Sequence, residues 1–412
     1  MSSDVRPVAG SSHHAMSEPS ILPFKRTTLV WTLYFLWGLY AFVLTMIGPI
    51  IPYLRREFSL DYTFSALHLS AFAVGMIVSG LIAPRLLRFT GMMRALWLGM
   101  GGILVGLTGL VLAPNPIFSL GSILFMSVTG TLALAVTQAS LSHLFPVHRS
   151  KALMEAGIVT SLTGAASPFI IVAGSLYFFG WRSVLPVFFV ALVVIAIIGL
   201  PSTKALARDN AEAAAPPDGH LPRAFWVTWC LIVLGVSVEW CVGFWSAEYL
   251  KGLPERSLEL AAAGAGVFQL ASLAGRAISS RLTGRFQERR ILTVAMILVL
   301  VGFPLYWLRL NAVLAFAGLV FCGLGASNFY PLSLSLSMGA SGGQTSRASS
   351  YAAIGIGVAI FSAPLLLGWI ADTLDLSTAL WSIPIGIALM AILLFLESRR
   401  REELRGRPTP PR

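Results

Sequence analysis

The chain has few charged residues and few cysteines. Of 412 residues, only 11% are charged, while 56% are hydrophobic and the mean hydropathy is +0.79. A soluble domain carries about 25% charged residues, so this composition excludes a water-soluble globular protein and predicts an integral membrane protein. The three cysteines, Cys230, Cys241 and Cys322, all lie inside apolar runs without clustered histidines. That spacing argues against a disulfide framework and against a metal site.

Several motifs that define other classes of protein are also missing from the sequence. There is no P-loop lysine pattern, no nucleotide-binding fold, no nucleophile triad and no added soluble domain. The first 26 residues have no apolar core and no cleavage site, so we do not expect a signal peptide. The sequence therefore predicts neither an enzyme nor an ATP-driven pump, and no cofactor or metal is expected.

Long apolar runs dominate the rest of the chain. A membrane-spanning helix needs about 20 apolar residues, and two sets of six such runs are present. The first set covers 27–53, 63–84, 93–113, 117–143, 150–178 and 183–200, and the second 224–250, 258–282, 290–308, 311–338, 348–371 and 376–397. The sequence thus predicts an all-α membrane protein of twelve transmembrane helices, with one six-helix bundle in 27–200 and another in 224–397. A polar segment, 201–223, would link them, and disordered ends would cover 1–26 and 398–412.

The positive charge of the chain is distributed unevenly between the two sides of the predicted bundle. If both termini are cytoplasmic, the outer loops hold six of the 29 Lys and Arg residues and the cytoplasmic side holds the other 23. The six are Arg55, Arg56, Arg182, Lys251, Arg256 and Arg309. This asymmetry follows the positive-inside rule, so we expect cytoplasmic termini in a cell membrane. The formal charge of +11 then reflects topology and contact with lipid, and no nucleic acid partner is expected.

The two halves of the sequence show weak internal similarity. The segment "RLLRF" at 85–89 has a counterpart in "RLTGRF" at 281–286, and Ser167-Pro168 corresponds to Ala363-Pro364, each at an offset of about 196 residues. Arg94 and Arg290 share the same offset. Three matches at one offset favour a duplicated six-helix unit, which is one of the repeat arrangements that transporters use.

With this layout, the chain resembles the major facilitator superfamily over residues 25 to 397. The superfamily's signature between spans 2 and 3, G-x-x-x-D-R-x-G-R, is matched by Gly80, Arg85 and Arg88. Pro84 replaces the acidic residue of the signature and Leu87 its second glycine. We predict that Gly80, Arg85, Arg88, Arg281 and Arg285 contribute to gating at the cytoplasmic side, where the arginines could pair with the ends of spans. The alternative is that these arginines serve only the orientation of the chain in the membrane.

Further stretches in the two halves favour different branches of the superfamily. In span 5, "GAASPFIIVAG" at 164–174 is similar to the small-residue and proline motif of exporters, although span 4 lacks the arginine that proton-linked drug exporters carry. In the second half, "VEWCVGFWSAEYL", "LAGRAISSRL" and "NFYPLSLSLS" resemble the fucose-permease-like sugar transporters. An importer of a sugar-like solute and an exporter of drugs or metabolites are therefore both predicted, with the importer preferred.

One carboxylate and one arginine are predicted to lie deep in the membrane. Glu239 is in the middle of span 7, where a charged side chain costs about 2.5–3.5 kcal/mol. We interpret it as the residue that couples transport to protons, and a hydrogen bond that fixes packing is the alternative. Arg276 in span 8 is predicted to lie about 13 Å from the level of Glu239 along the membrane normal, too far for an ion pair. It is expected to have a structural role, with binding of an anionic substrate as the alternative. For Glu155 in span 5 we expect a helical pair with Lys151.

Aromatic and amide residues are also predicted near mid-depth. Such side chains suit a small polar ring, because aromatic faces stack on it and amides pair with hydroxyls. The candidates for substrate binding are Trp37, Tyr40, Trp240, Gln269, Asn328 and Tyr330. Ordinary packing is the alternative for each of them.

Together these features predict a secondary transporter of a small polar organic solute. It would move its substrate by alternating access, with proton symport as the leading mode and a proton-antiport exporter as the alternative. A membrane sensor that does not transport is the third hypothesis. The expected partners are a small-molecule substrate, protons and membrane lipid, and the chain is expected to be a monomer.

Overall fold

The computed structural model describes residues 25–145, 149–204, 221–254, 257–283, 285–342 and 344–405. Within these residues the chain is helical, and twelve helices are long and apolar enough to cross a membrane. The predicted fold class is confirmed. Most of the predicted disordered ends and most of the predicted linker lie outside the described residues. At the C-terminal end, residues 398–405 are described and are helical, as a continuation of the last span.

The first bundle contains six spans. Its helices are α1 (Thr28–Thr45), α2 (Ile47–Phe58), α3 (Tyr62–Thr90), α4 (Met92–Val111), α5 (Pro116–Leu144), α6 (Arg149–Tyr177) and α7 (Val184–Thr203). Helices α1 and α2 together form one span. A short 3₁₀ helix, Gly180–Ser183, precedes α7.

The second bundle repeats this plan. Its helices are α8 (Arg223–Leu250), α9 (Leu258–Leu282), α10 (Glu288–Trp307), α11 (Ala312–Ala326), α12 (Phe329–Gly339), α13 (Thr345–Thr373), α14 (Leu376–Ala379) and α15 (Ser382–Arg405). Helices α11 and α12 form one span, as do α14 and α15.

Two spans are interrupted where a proline follows. The first span breaks at Met46, three residues before Pro49, and the tenth breaks at Ser327 and Asn328, with Pro331 in the next turn. Proline has no N–H to continue the backbone ladder, so each break lies where a ladder hydrogen bond is missing. The sequence runs did not show these breaks, because apolar residues continue on both sides of each one.

Helix contacts follow the repeat that the sequence predicts. In the first bundle α1 packs on α6, α3 on α5 and α4 on α5, and in the second α8 packs on α13, α9 on α11 and α10 on α11. Close approach depends on glycine: a Cβ on Gly99 of α4 would meet the carbonyl oxygen of Thr129 at 2.7 Å, and one on Gly323 of α11 would meet that of Phe268 at 2.6 Å. Small residues of this kind allow membrane helices to pack backbone to backbone.

Among the described residues, the bundles meet chiefly along four pairs of helices. Helix α2 packs on α8 and on α9, α3 packs on α13, and α6 packs on α9. Because the number of spans is even, residue 25, residues 204 and 221, and residue 405 all lie at one end, which we call the terminal end. The opposite end, with the α2–α3, α8–α9 and α13–α14 connections, is called the distal end.

A cavity with an ion pair between the bundles

A cavity of about 180 Å³ lies between the two bundles. Its walls come from α1, α2, α3 and α6 on one side and from α8 and α9 on the other. The volume is below the range of about 300–1,000 Å³ for drug-sized ligands, so the cavity suits a small solute. It is lined by Ala41, Leu44, Thr45, Gly48, Leu69, Thr160, Ser161, Gly164, Ala165, Glu239, Trp240, Gly243, Phe244, Phe268, Gln269, Ser272, Leu273 and Arg276.

An ion pair stands in the wall of this cavity. Arg276 Nη2 donates a hydrogen bond to Glu239 Oε1 at 2.8 Å. The sequence-based expectation that these side chains are too far apart was wrong. That expectation placed both side chains at the level of their own backbone, but each Cα–Cβ bond in a helix tilts toward the helix N-terminus. Since α8 and α9 are consecutive and run in opposite directions, Glu239 and Arg276 lean toward each other.

The arginine of the pair also faces the other bundle. Its Nη1 lies 3.5 Å from Ser161 Oγ of α6, at the limit of a hydrogen bond. The side chain of Arg276 is 48% exposed, whereas that of Glu239 is 14% exposed. A charged group of the second bundle is therefore presented toward a hydroxyl of the first, across the space where the two bundles meet.

Two polar side chains of α9 in the cavity wall have no protein partner in the described part of the chain. They are the amide of Gln269 and the hydroxyl of Ser272, whose oxygen is buried. By contrast, Thr45 and Thr160 satisfy their hydroxyls on backbone carbonyls. A buried hydroxyl without a hydrogen bond carries a desolvation cost of about 1–3 kcal/mol. Water or a solute in the cavity would remove that cost.

The predicted substrate residues fall into two groups. Trp240 and Gln269 line the cavity, as does the predicted coupling residue Glu239. The other four lie elsewhere: Tyr40 is buried with its hydroxyl 3.2 Å from Thr131 Oγ1, while Trp37 and Tyr330 are half-buried against the core. Asn328 donates to the Leu324 carbonyl at 2.7 Å, next to the break between α11 and α12.

Glu155 of α6, for which a helical pair with Lys151 was expected, contacts Arg26 among the described residues. Arg26 binds Glu155 through Nε at 2.9 Å and through Nη2 at 2.7 Å, and Tyr34 adds a hydroxyl contact at 3.4 Å. The side chain of Lys151 lies outside the described residues. This pair ties the segment before α1 to α6, and the Glu155 carboxylate raises the pKa of the Arg26 guanidinium.

The predicted gating residues lie at the terminal end. Arg85, Arg281 and Arg285 are exposed there, and the side chain of Arg88 is outside the described residues. A Cβ added to Gly80 would meet no described atom within 4 Å, so no described neighbour requires a glycine at this position. Their contribution to gating stays a prediction.

Polar contacts that the sequence did not predict join the bundles at the distal end. Asp372 at the end of α13 accepts hydrogen bonds from the backbone N–H groups of Tyr62 and Thr63, both at 2.7 Å, and from the Thr63 hydroxyl at 2.5 Å. Nearby, Arg55 of α2 lies 3.4 Å from Glu248 of α8. We call these contacts of Asp372 and of the Arg55–Glu248 pair the distal lock.

The Asp372 contact has a clear electrostatic basis. The first N–H groups of a helix have no partner within the helix, and its N-terminus carries a partial positive charge. At the start of α3, Asp61 accepts from Phe64 N, and Asp372 accepts from the two preceding N–H groups. A carboxylate of one bundle therefore caps a helix of the other, and separation of the bundles at this end would expose those N–H groups.

Replacement of Asp372 by asparagine is expected to weaken the closed distal end. The neutral amide loses the charge interaction with the start of α3, which is worth about 1 kcal/mol at an exposed helix end, or roughly a fivefold shift in the equilibrium. Spin labels at Phe178 and Leu310, which are exposed at the distal ends of the two bundles, would report a larger population of long distances. The matched control is Asp375→Asn: its carboxylate caps Thr378 within its own bundle, contacts that hold the pKa of Asp375 below its ordinary value. An equal effect of both variants would contradict the lock.

Comparison with known proteins agrees with this architecture. The sequence pattern of the Major Facilitator Superfamily matches residues 33–338 and 256–411. The chain belongs to the Major Facilitator Superfamily. It is therefore a membrane transporter and not an enzyme, and its fold supports secondary transport by alternating access. No curated protein matches the chain.

Solved structures of this superfamily share the fold. A bacterial homologue of the human lysosomal transporter Spinster, in an inward-facing and unoccupied conformation, is 14% identical over 93% of this chain and 98% of that chain, with a TM-score of 0.67. The peptide transporter POT, in a mutant form, is 13% identical over 90% of this chain and 94% of its own, with a TM-score of 0.72. At these identities the likeness concerns the fold alone, and membership of the fucose-permease-like branch stays a prediction.

Proposed function

We propose that this member of the superfamily carries a small polar organic solute together with protons, by symport across the cell membrane. One observation carries the proposal: the Glu239 carboxylate lies in the wall of the cavity between the bundles, paired with Arg276. A carboxylate in a membrane is costly and is kept where it faces a partner or a watery space. Glu239 has both.

Protonation of Glu239 provides a physical link between protons and solute. When the carboxyl is neutral, the ion pair with Arg276 is lost, and Arg276 remains as a charge without its counter-ion. A charged side chain without a counter-ion is costly within a membrane, so the protonated cavity gains more from a polar solute than the ionised cavity does. This difference in solute affinity between the protonated and the ionised cavity couples the binding of a proton to the binding of solute.

The cavity would reach the two sides of the membrane in turn as the bundles rock. We propose that residues 27–200 and 224–397 move as two bodies, with the distal lock formed in one state and broken in the other. If the terminal end is cytoplasmic, as the distribution of Lys and Arg indicates, this structure is closed toward the outside. Gating arginines at 85, 88, 281 and 285 would then act on the cytoplasmic side.

Export by proton antiport is the second candidate. The span 5 stretch from Gly164 to Gly174 supports it, since a Cβ on Gly164 would lie 3.2 Å from Thr45 and one on Gly174 2.5 Å from the Gly180 carbonyl oxygen. This close packing of α6 is also what any rocking bundle needs. The missing arginine in span 4 opposes the exporter, so symport remains the preferred function.

Uptake into proteoliposomes tests the proposal directly. With an acidic exterior, a panel of small polar solutes is expected to include one that accumulates above its external concentration, and a protonophore should abolish that accumulation. Loss of a preloaded solute or dye under the same gradient would indicate the exporter. Binding of a solute without any flux would indicate the sensor. Either of those outcomes, or no flux and no binding, would overturn symport.

A further inference from the structure

In the central ion pair, Arg276 uses only a few of its N–H donors. A guanidinium has five N–H donors arranged as a fork that fits a carboxylate with two parallel hydrogen bonds. Arg276 gives Glu239 one short bond through Nη2 and approaches Ser161 with Nη1 at 3.5 Å. The Arg26–Glu155 pair in the same protein uses two nitrogens and both carboxylate oxygens, at 2.9 and 2.7 Å.

From this geometry we infer that the transported solute is a small organic monoanion whose carboxylate replaces Glu239 on Arg276. The inference rests on the proposed function and names the substrate class of the same site. Arg276 is half-exposed at the cavity, whereas the Glu239 side chain is nearly buried. The free part of the guanidinium therefore faces the space that a solute would enter.

Charge balance selects an anion with one negative charge. Arg276 and ionised Glu239 together carry no net charge, and among the described residues that line the cavity no other is an Asp, Glu, Lys or Arg. When Glu239 takes up a proton, the cavity carries one positive charge. A monocarboxylate restores neutrality, a neutral solute leaves the arginine uncompensated, and a dianion such as inorganic phosphate at high pH would leave an excess negative charge. Within a membrane such imbalances of charge are costly.

The rest of the wall suits a hydroxylated carbon skeleton. Gln269 and Ser272 offer an amide and a hydroxyl that no described residue uses, and Ser161 adds a hydroxyl from the other bundle. Trp240, Phe244 and Phe268 provide aromatic surface. Apolar walls with a few placed polar groups fix the orientation of a ligand. The substrate class is thus a small hydroxy monocarboxylate, such as a sugar acid.

The inference has an electrical consequence that separates it from the proposed function. One proton and one monoanion carry no net charge together, so their symport does not respond to membrane potential. Symport of a proton with a neutral sugar moves one positive charge and is accelerated by a negative interior. Both kinds of transport would satisfy the proposed function, and only the first satisfies the inference.

The experiment compares hydroxy monocarboxylates with their neutral counterparts in proteoliposomes of the full chain. D-gluconate and D-glucose form one matched pair, and D-glycerate and glycerol form another. With an acidic exterior, we expect uptake of at least one monocarboxylate, unchanged when valinomycin and potassium set the interior negative, and no uptake of its neutral partner. Uptake of a neutral member that a negative interior accelerates would overturn the inference and keep proton symport. Absence of proton-driven flux for every solute would overturn both.

Variants of the arginine sharpen the assignment. Arg276→Lys keeps the charge without the fork and is expected to raise the KM for the carboxylate about tenfold, with a smaller effect on kcat. Arg276→Gln is expected to lower kcat/KM by more than a hundredfold. The control is Arg182→Gln, which removes a distal-end arginine paired with Glu57 outside the cavity. Since the Gln variant could also fail to fold, the Lys variant decides: an unchanged KM for the carboxylate in Arg276→Lys, with folded protein by gel filtration, would overturn the inference.

Discussion

Replacement of Glu239 by glutamine is expected to abolish proton-driven accumulation while leaving solute exchange intact. Glutamine has nearly the shape of the protonated acid, but it cannot release a proton at any physiological pH. The cavity of this variant stays in the form that binds solute. Bound solute can therefore cross the membrane in either direction as the bundles rock. The gradient loses its effect because no proton is taken up or released, and the internal concentration of solute should rise no higher than the external one. The measurement is uptake with and without a pH gradient, beside counterflow from preloaded vesicles.

Glu259→Gln provides the matched control for this variant. Glu259 lies in the first turn of α9 and bonds to Ser257, near the distal surface and away from the cavity wall. The Glu259→Gln variant should accumulate solute as the unsubstituted protein does. Proton-driven accumulation that survives in Glu239→Gln would remove Glu239 from the coupling mechanism. Loss of counterflow together with accumulation would instead assign Glu239 to packing of α8 against α9.

The helices and their repeat could be predicted from the sequence, because each span meets the length requirement for crossing the membrane independently of the other spans. About 20 apolar residues are needed wherever a helix crosses a membrane, so each span was recognisable without knowledge of its neighbours. The shared offset of Pro168 and Pro364 also agrees with the structure, since both prolines lie inside the corresponding helices α6 and α13. Glu239 could be singled out for the same reason: its cost depends on depth, which the sequence gives approximately.

Residues that act through a partner in another helix could not be found in this way. Asp372 lies at the end of an apolar run and looks like an ordinary interfacial acid, and its importance comes from the N-terminus of α3. The Arg276–Glu239 pair was missed because residue counting gives the level of each backbone and omits the tilt of the side chains. His68 was also missed: it is fully buried, with Nε2 2.8 Å from Ser119 Oγ, and joins α3 to α5.

Replacement of Gly368 by leucine is expected to give the largest change in conformation. Gly368 is on α13, and a Cβ at this position would meet the Tyr62 carbonyl oxygen at 2.8 Å and Ala66 Cβ at 3.2 Å, both on α3. A leucine cannot fit unless the bundles separate at the distal end. Overpacking of this kind costs about 1–3 kcal/mol, and the cost applies only while the distal end is closed. The equilibrium should therefore shift roughly five- to 150-fold toward the state with an open distal end, and transport should fall because the cycle must pass through the closed one.

The same helix offers the control that makes this prediction sharp. Gly357 also lies on α13, and a Cβ there would have open space around it, so Gly357→Leu adds the same side chain without forcing α13 from α3. Spin labels at Phe178 and Leu310 should report long distances in Gly368→Leu and short ones in Gly357→Leu, with Gly368→Ala between them. This graded order depends on side-chain size at one contact and not on general destabilisation, which would broaden all distances alike. If Gly368→Leu keeps the short distance and transports normally, then contact between α3 and α13 is not part of the closed state, and the bundles must rock about a different interface.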